Sequence, residues 1–243
     1  EYTSPEAGMA DYRMYAGKPV VIKPKSTNFG LGITILKHNY DETDFKGALQ
    51  IAFEHDNTLL IEKFIPGREF RIFIINDEVV GILHRVPANV TGDGVLNIGQ
   101  LIDRKNEDPL RGKGYRTPLE KIRKGREEEM FLKQQGMDFN TVPKEREVVY
   151  LRENSNISTG GDSIDFTDDI DDSYKAIAVE AAKALNVKIT GLDMMIQDIH
   201  APATPDNYAI IEMNFNPAIH IHCYPFKGKN RHLNHKMIKA LGF

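Results

Sequence analysis

Asp193 lies in the middle of an apolar run, Gly191-Leu192-Asp193-Met194-Met195-Ile196, and Glu212 and Asn214 close a second one, Tyr208-Ala209-Ile210-Ile211-Glu212-Met213-Asn214. A lone carboxylate is costly to bury, so Asp193 needs a partner. Both runs read as strands. Alternate residues of a strand share a face, which places Glu212 and Asn214 together. Two carboxylates and an amide oxygen on neighbouring strands make an all-oxygen ligand set. Such sets suit Mg2+, a hard cation that commonly links protein to nucleotide phosphates.

Lys23 ends the apolar run Pro19-Val20-Val21-Ile22 and precedes Pro24-Lys25-Ser26-Thr27-Asn28-Phe29-Gly30-Leu31-Gly32. A strand-anchored ammonium before a Gly/Ser loop can offer charge and backbone N–H groups to phosphate oxygens, and the glycines permit close approach. The same residues also fit a hairpin whose lysine reaches out to solvent. No Gly-Lys-Ser/Thr follows the loop, so it is not a Walker A motif. In Ile61-Glu62-Lys63-Phe64-Ile65-Pro66-Gly67-Arg68-Glu69-Phe70 the apolar end of a strand offers a wall and free backbone groups to an adenine edge, and Glu69 offers acceptors to ribose hydroxyls. Taken alone, the segment is better accounted for by a strand, a Pro-Gly turn and a second strand with surface charges. Arg71, Arg85 and Arg152 are candidates for steadying a transferred anionic group, against the alternative of surface ion pairs of little energetic weight. Asn154, Asn156 and Ser158 face substrate or form an ordinary turn cluster. His220, His222 and Cys223 are zinc-type ligands, but their spacing is poor for zinc and no second cysteine pair exists. The alternating histidines read instead as one face of an extended segment.

Holding these groups requires strands at Pro19–Lys23, Ile33–Leu36, Thr58–Phe64, Arg68–Ile75, Val79–Val86, Glu145–Leu151 and the two runs around Asp193 and Glu212. Asn76-Asp77-Glu78 has the composition of a hairpin turn. Helical spacing marks Phe45 to Phe53, Ile98–Lys105, Arg126–Gln135, Tyr174 to Leu185 and Leu233–Leu241. Residues 87–143 read as otherwise irregular, residues 154–165 as a Gly/Ser/Asn loop, and Lys121 to Arg126 as a solvated basic run. This order is α+β, with hairpins in place of the strict alternation of a doubly wound sheet. Lysine and arginine number 31 against 35 acidic residues, which makes no electrostatic case for nucleic-acid binding. No apolar run is long enough to span a bilayer, so no membrane partner is expected. The single cysteine excludes an internal disulfide and fits a reducing, cytoplasmic setting. The abrupt opening at Glu1 reads as the start of a piece of something longer.

Lys23-Pro24, the Ser/Gly loop, Glu62 to Glu69, and Asp193 with Glu212-Met213-Asn214 occur in an order that resembles the ATP-grasp ligases. Within them the segment Lys23 to Gly32 is most similar to the glutathione synthetase domain of bacterial bifunctional glutamate–cysteine ligase/glutathione synthetases. Arg85 to Gly94 and Leu151 to Gly161 are similar to cyanophycin synthetase. The resemblance implies an α+β ATP-grasp fold of mixed and antiparallel sheets with flanking helices, in two subdomains, 1–65 and 66–243, enclosing an ATP cleft. It also implies that residues 1–243 lack the amino-terminal part of that domain. By position, it gives phosphates to Lys23 and to a closing loop with Ser26, Gly30 and Gly32. It gives adenine to Glu62, Lys63 and Ile65, ribose to Glu69, and Mg2+ or Mn2+ to Asp193, Glu212 and Asn214. Arg85 and Arg152 become the catalytic arginines. The implied reaction joins γ-glutamylcysteine and glycine through an acylphosphate, in a homodimeric enzyme. Cyanophycin-type amino-acid ligation and a non-catalytic ATP-binding module are the alternatives.

Overall fold

The computed structural model describes residues 1–27, 32–37 and 39–243. They divide into two compact units, Glu1–Ile65 and Pro66–Phe243.

The first unit opens with two short helices, α1 (Pro5–Ala10) and α2 (Tyr12–Tyr15). Ser4 caps α1 by accepting from the Ala7 amide, and Pro5 occupies the first turn, where its missing N–H costs nothing. Strands β1 (Val20–Pro24), β2 (Thr34–Leu36) and β3 (Leu59–Lys63) form an antiparallel sheet ordered β2-β1-β3. Helix α3 (Glu42–Phe53) starts at a reciprocal capping box between Asp41 and Asp44. Its apolar stripe, Phe45, Ala48, Leu49 and Ala52, is buried with Val20, Ile22 and Leu59. Tyr12, Tyr15 and Tyr40 pack their rings around Phe45.

The second unit is built on a five-stranded antiparallel sheet. Its strands β4 (Arg68–Ile75), β5 (Glu78–Val86), β10 (Asp162–Asp165), β11 (Ile189–Ile196) and β12 (Tyr208–Asn214) run in the order β10-β5-β4-β11-β12. Strand alternation gives the sheet two unlike faces. Phe70, Ile72 and Ile74 of β4, Ile82 of β5 and Leu192, Met194 and Ile196 of β11 form one face. Helix α6 (Asp172–Ala184) covers it with Tyr174, Ala178 and Ala182. The other face is split along its length. At one end Phe73, Ile75 and Val80 pack with Cys223 of α7 (His220–Cys223) and Leu233 of α8 (Leu233–Ala240). At the other end the same face carries Glu69, Arg71, Arg85 and Asp193.

Between β5 and β10 the chain forms a satellite with its own core. It contains β6 (Asn89–Thr91), α4 (Ile98–Lys105), β7 (Arg111–Gly112), β8 (Leu119–Glu120), α5 (Arg126–Gln134) and β9 (Val148–Tyr150). β6 pairs with β9, β7 pairs with β8, and Val90, Ile98, Leu101, Ile102, Leu132 and Val149 fill the interior. A buried charge cluster joins this satellite to the sheet edge. Asp162 accepts from Lys105 at 2.7 Å, from Asn89 at 3.0 Å and from the Arg111 guanidinium. Both cations also lie over the Phe226 ring, which adds to their compensation.

Three expectations change. Residues 87–143, read as irregular apart from two helices, also contain β6, β7 and β8, each paired in a two-stranded ladder. The stretch 154–165 contains a strand: Ser163 is paired with Arg85, and its hydroxyl accepts from the Phe226 amide. Its polar composition concealed it, because its buried polar groups are satisfied by distant parts of the chain. His220 and His222 lie in a helical turn and not on an extended segment. Among the described residues, no helix is long and apolar enough to cross a membrane.

Leu192 is fully buried between α6 and the sheet. Leu192→Ala is expected to destabilise the second unit by about 2–5 kcal/mol, read as a lowered midpoint in urea unfolding followed by tryptophan-free near-UV circular dichroism. A change below about 1 kcal/mol would contradict this packing.

Candidate functional site

Asp193 sits at the centre of the polar end of the sheet. By register it is opposite Arg71 on β4 and opposite Glu212 on β12. Directly opposed residues share a face, so all three side chains project to the same side. Glu212 reaches that side because of a β-bulge. Met194 pairs with Ile210 and Asp193 with Glu212, which leaves Ile211 as the extra residue. Without the bulge, Glu212 would oppose Leu192 and project into the apolar face. Beyond it, Met213 packs on that apolar face, and Asn214 joins Glu212 on the polar one. Asn214 Nδ2 donates to Glu212 Oε1 at 3.0 Å, which leaves the amide oxygen for another partner.

The Asp193 side chain is only 2% exposed. Arg71 grips it with two parallel donors: Nε to Oδ1, and Nη2 to Oδ2 at 2.8 Å. This is the fork-to-fork geometry for which arginine is suited. A Cβ at position 191 would lie 3.1 Å from Arg71 Cδ and 2.7 Å from Pro217 Cβ. Gly191 therefore makes room for the Arg71 stem. Burial pushes the Asp193 carboxyl up, but the hydrogen bonds from Arg71 and the charges of Arg85 and Arg71 outweigh it and hold the group below the usual carboxylate range.

Arg85 is bound less completely. Its Nη2 donates to Asp193 Oδ2 at 3.1 Å and also pairs with Glu69 Oε1. Among the described residues its buried Nε has no hydrogen-bond partner. The other oxygen of Glu69 accepts from the Ser155 hydroxyl. A continuous chain of contacts thus runs Ser155, Glu69, Arg85, Asp193, Arg71. In the sequence Ser155 is one polar residue among several in a loop, with no local signal to separate it from the candidates Asn154, Asn156 and Ser158. Arg71 appeared there only as one of three arginines, and its register with Asp193 singles it out.

The remaining candidates lie elsewhere. In the first unit Lys23 pairs with Glu62 at 2.7 Å across β1 and β3. Ser26 donates its amide to Asp56 at 2.7 Å. Gly32 takes a left-handed φ of +75°, a conformation glycine adopts at low cost. Lys63 ends β3, exposed, and Ile65 follows it, half-buried. Gly30 lies outside the described residues. Arg152 is not part of the Asp193 chain. It binds the fully buried Glu128 at 2.6 Å and also Glu127, both on α5. Glu128 in turn accepts from the Gly125 amide, closing the first turn of that helix.

Among the described residues, no three His, Cys, Asp or Glu side chains converge to hold a metal. Of the residues His220, His222 and Cys223, Cys223 Sγ faces Asn234, and both buried ring nitrogens of His222 have no partner among the described residues. Asp193, Glu212 and Asn214 form a mixed set of two carboxylates and an amide. Asp193 accepts three hydrogen bonds of the about four a carboxylate can take, so an acceptor direction on Oδ1 stays open. Glu212 is exposed. This set fits a hard divalent cation.

Three comparisons place this geometry among known proteins. The family description "D-ala D-ala ligase C-terminus" matches residues 3–97. A solved bifunctional glutathione synthetase from Pasteurella multocida superposes over 99% of this chain, with a TM-score of 0.72 and 46% identity. The chain has the ATP-grasp fold. Among curated relatives, this ATP-grasp chain is 62% identical over its whole length to the glutathione biosynthesis bifunctional protein GshAB of Desulfotalea psychrophila. It is 55% identical over 99% of its length to that of Clostridium perfringens. It spans about a third of those relatives' length, 31% in both cases, and 33% of the Pasteurella chain.

Burial lowers the basicity of two histidines in the ATP-grasp chain, His84 to about 4 and His222 to about 3. In an unfolded chain each titrates near about 6.5. Both are therefore neutral when folded, and stability from this source is complete above about pH 6.5 and is lost as pH falls toward the folded values. His222→Phe, which keeps an aromatic ring against Phe73, is expected to flatten the fall in unfolding free energy between pH 6.5 and 4, measured by urea titration at each pH. An unchanged slope would show that His222 is not buried neutral.

Proposed function

We propose that this chain supplies the glutathione synthetase activity of a bifunctional glutathione-synthesising enzyme. The substrates are ATP, γ-glutamylcysteine and glycine; the products are glutathione, ADP and phosphate. The observation that carries the reading is the identity of 62% along the whole chain to a glutathione biosynthesis protein, and the buried Asp193 with its Arg71 and Glu212 neighbours supplies a chemical basis for it.

A carboxylate is a poor acyl donor at neutral pH. Phosphoryl transfer from ATP to the γ-glutamylcysteine carboxylate gives an acylphosphate and releases ADP. The glycine amine then attacks the acyl carbon, its proton is lost, and phosphate leaves. In the first unit we assign phosphate contacts to Lys23 and to the segment holding Ser26, Gly30 and Gly32. Glu62, Lys63 and Ile65 are assigned to the adenine. Glu62 now neutralises Lys23, so binding there exchanges an internal partner for a phosphate oxygen. In the second unit we assign the ribose to Glu69, and Mg2+ or Mn2+ to Asp193, Glu212 and Asn214. When bound, that cation offsets charge on the phosphate oxygens. Arg71 orients Asp193 and keeps it ionised. We assign Arg85, whose Nε has no partner among the described residues, to donate to an oxyanion at the reacting centre, where preorganised donors contribute most. Arg152 is already committed to Glu128, and we assign it the task of fixing the loop that carries Ser155. A homodimeric, cytoplasmic enzyme completes the proposal.

In the full-length protein, Asp193→Asn and Glu212→Gln are expected to lower ATP-dependent glutathione formation from γ-glutamylcysteine and glycine by about a thousandfold, on the scale of losing a charge-stabilising group. Phosphate release and product chromatography measure it. Near-normal turnover in both variants overturns the metal assignment. Release of phosphate with aspartate or arginine and a peptide primer, but not with γ-glutamylcysteine and glycine, replaces the substrate assignment with amino-acid polymer synthesis.

A further inference from the structure

The two arginines on Asp193 are held in unlike ways. Arg71 makes two parallel hydrogen bonds to the carboxylate, and its stem is confined beside Gly191. Arg85 makes a single contact of 3.1 Å through Nη2, the same nitrogen that also serves Glu69. Its Nε has no acceptor among the described residues although it is buried. A buried donor without a partner costs free energy, so this guanidinium has something to gain by moving.

Three carboxylates, Glu69, Asp193 and Glu212, face two guanidinium groups on this end of the sheet. The cluster therefore carries one net negative charge. A divalent cation on Asp193, Glu212 and Asn214 makes it net positive and sets three positive groups around one carboxylate. One guanidinium then has to give way, and the singly bonded one gives way at less cost.

We propose that Arg85 is a displaceable counter-ion: it neutralises Asp193 until a divalent cation binds, and is then handed to an anionic oxygen of the ligand through its free Nε and released Nη2. Arg71, by contrast, is a positioning residue that stays on Asp193 throughout. The inference rests on the assignment of Asp193 as a metal ligand. Its consequence is a link between two binding events. Cation binding frees a donor for the anion, and anion binding removes a competitor of the cation, so each favours the other by the same factor. Repulsion between Arg85 and the cation at such short range is large enough for this link to be measurable.

The two arginines are expected to have opposite effects on cation affinity, which a merely structural role for both would not give. The measurement is a Mn2+ titration of the full-length protein without nucleotide, by calorimetry or by the spin-resonance signal of free Mn2+. The component that disappears in Asp193→Asn defines the site. Arg85→Gln is expected to tighten that component by about tenfold, because it removes a competing charge. Arg71→Gln is expected to weaken it by about tenfold, because it frees Asp193 to turn away. Arg85→Lys keeps the charge and is expected to stay within about threefold of the wild type, and it also controls for general damage at this position. With saturating Mn2+ present, Arg85→Gln is expected to bind ADP more weakly than the wild type by at least about threefold, and equal binding overturns the hand-over to the anion. Weakened or unchanged Mn2+ binding in Arg85→Gln, with an Asp193-dependent component present in the wild type, overturns this inference and leaves the metal assignment standing. Absence of any Asp193-dependent component in the wild type overturns both.

Discussion

A carboxylate placed inside a five-stranded sheet has to be compensated where it stands, and much of the second unit follows from how Asp193 meets that demand. Its neighbour by register is Arg71, and the two form a buried bidentate pair. A buried ion pair of this kind does not guarantee net stability, because both charges lose their hydration. What it does guarantee is orientation. Breaking it leaves an uncompensated charge, so the pair holds β4 and β11 in one register and fixes the direction in which the carboxylate presents its remaining acceptor. The same alternation that puts Arg71 and Asp193 on one side puts Ile72, Leu192 and Met194 on the other, beneath α6. The polar face is therefore carried by a layer that has its own packing to hold it rigid.

The satellite between β5 and β10 repeats this solution in a different setting. Asp162 is buried at the sheet edge and is compensated by Lys105 and Arg111 from two separate elements of the satellite. Arg152 and the buried Glu128 form a further pair inside it. In each case a charge from one element is answered by a charge from a distant one, so the contacts specify which surfaces meet as well as holding them together. The loop bearing Ser155 is bounded by two of these anchors, Arg152 before it and Asp162 after it. That is how a loop residue comes to hold Glu69 steady.

Strong local signals in the sequence correspond to what folds. The apolar runs around Asp193 and Glu212, the helix from Phe45 and the helix Ile98–Lys105 all form where periodicity places them. What stayed hidden depends on pairing at a distance. Asp162–Asp165 has no apolar alternation, and it is a strand because β5 offers it a ladder and Arg111, Lys105 and Phe226 satisfy its polar groups. His220 and His222 alternate as in a strand, yet their hydrogen bonds close a helical turn. The site divides in the same way. Asp193, Glu212 and Asn214 were legible as an oxygen-rich group. Which arginine serves Asp193, and the commitment of Arg152 to Glu128, depend on strand register and satellite packing, which no local window of sequence contains.

The bulge at Asp193 and Met194 gives the site an all-or-none ancestry. Whether Glu212 and Asn214 join Asp193 or point into the interior turns on the single supernumerary residue Ile211. Point substitutions can grade a ligand set gradually, but no succession of them moves a side chain across a sheet. A change of one codon in length does so in one event, for both residues at once. In this hairpin, insertion and deletion are the mutations with functional reach.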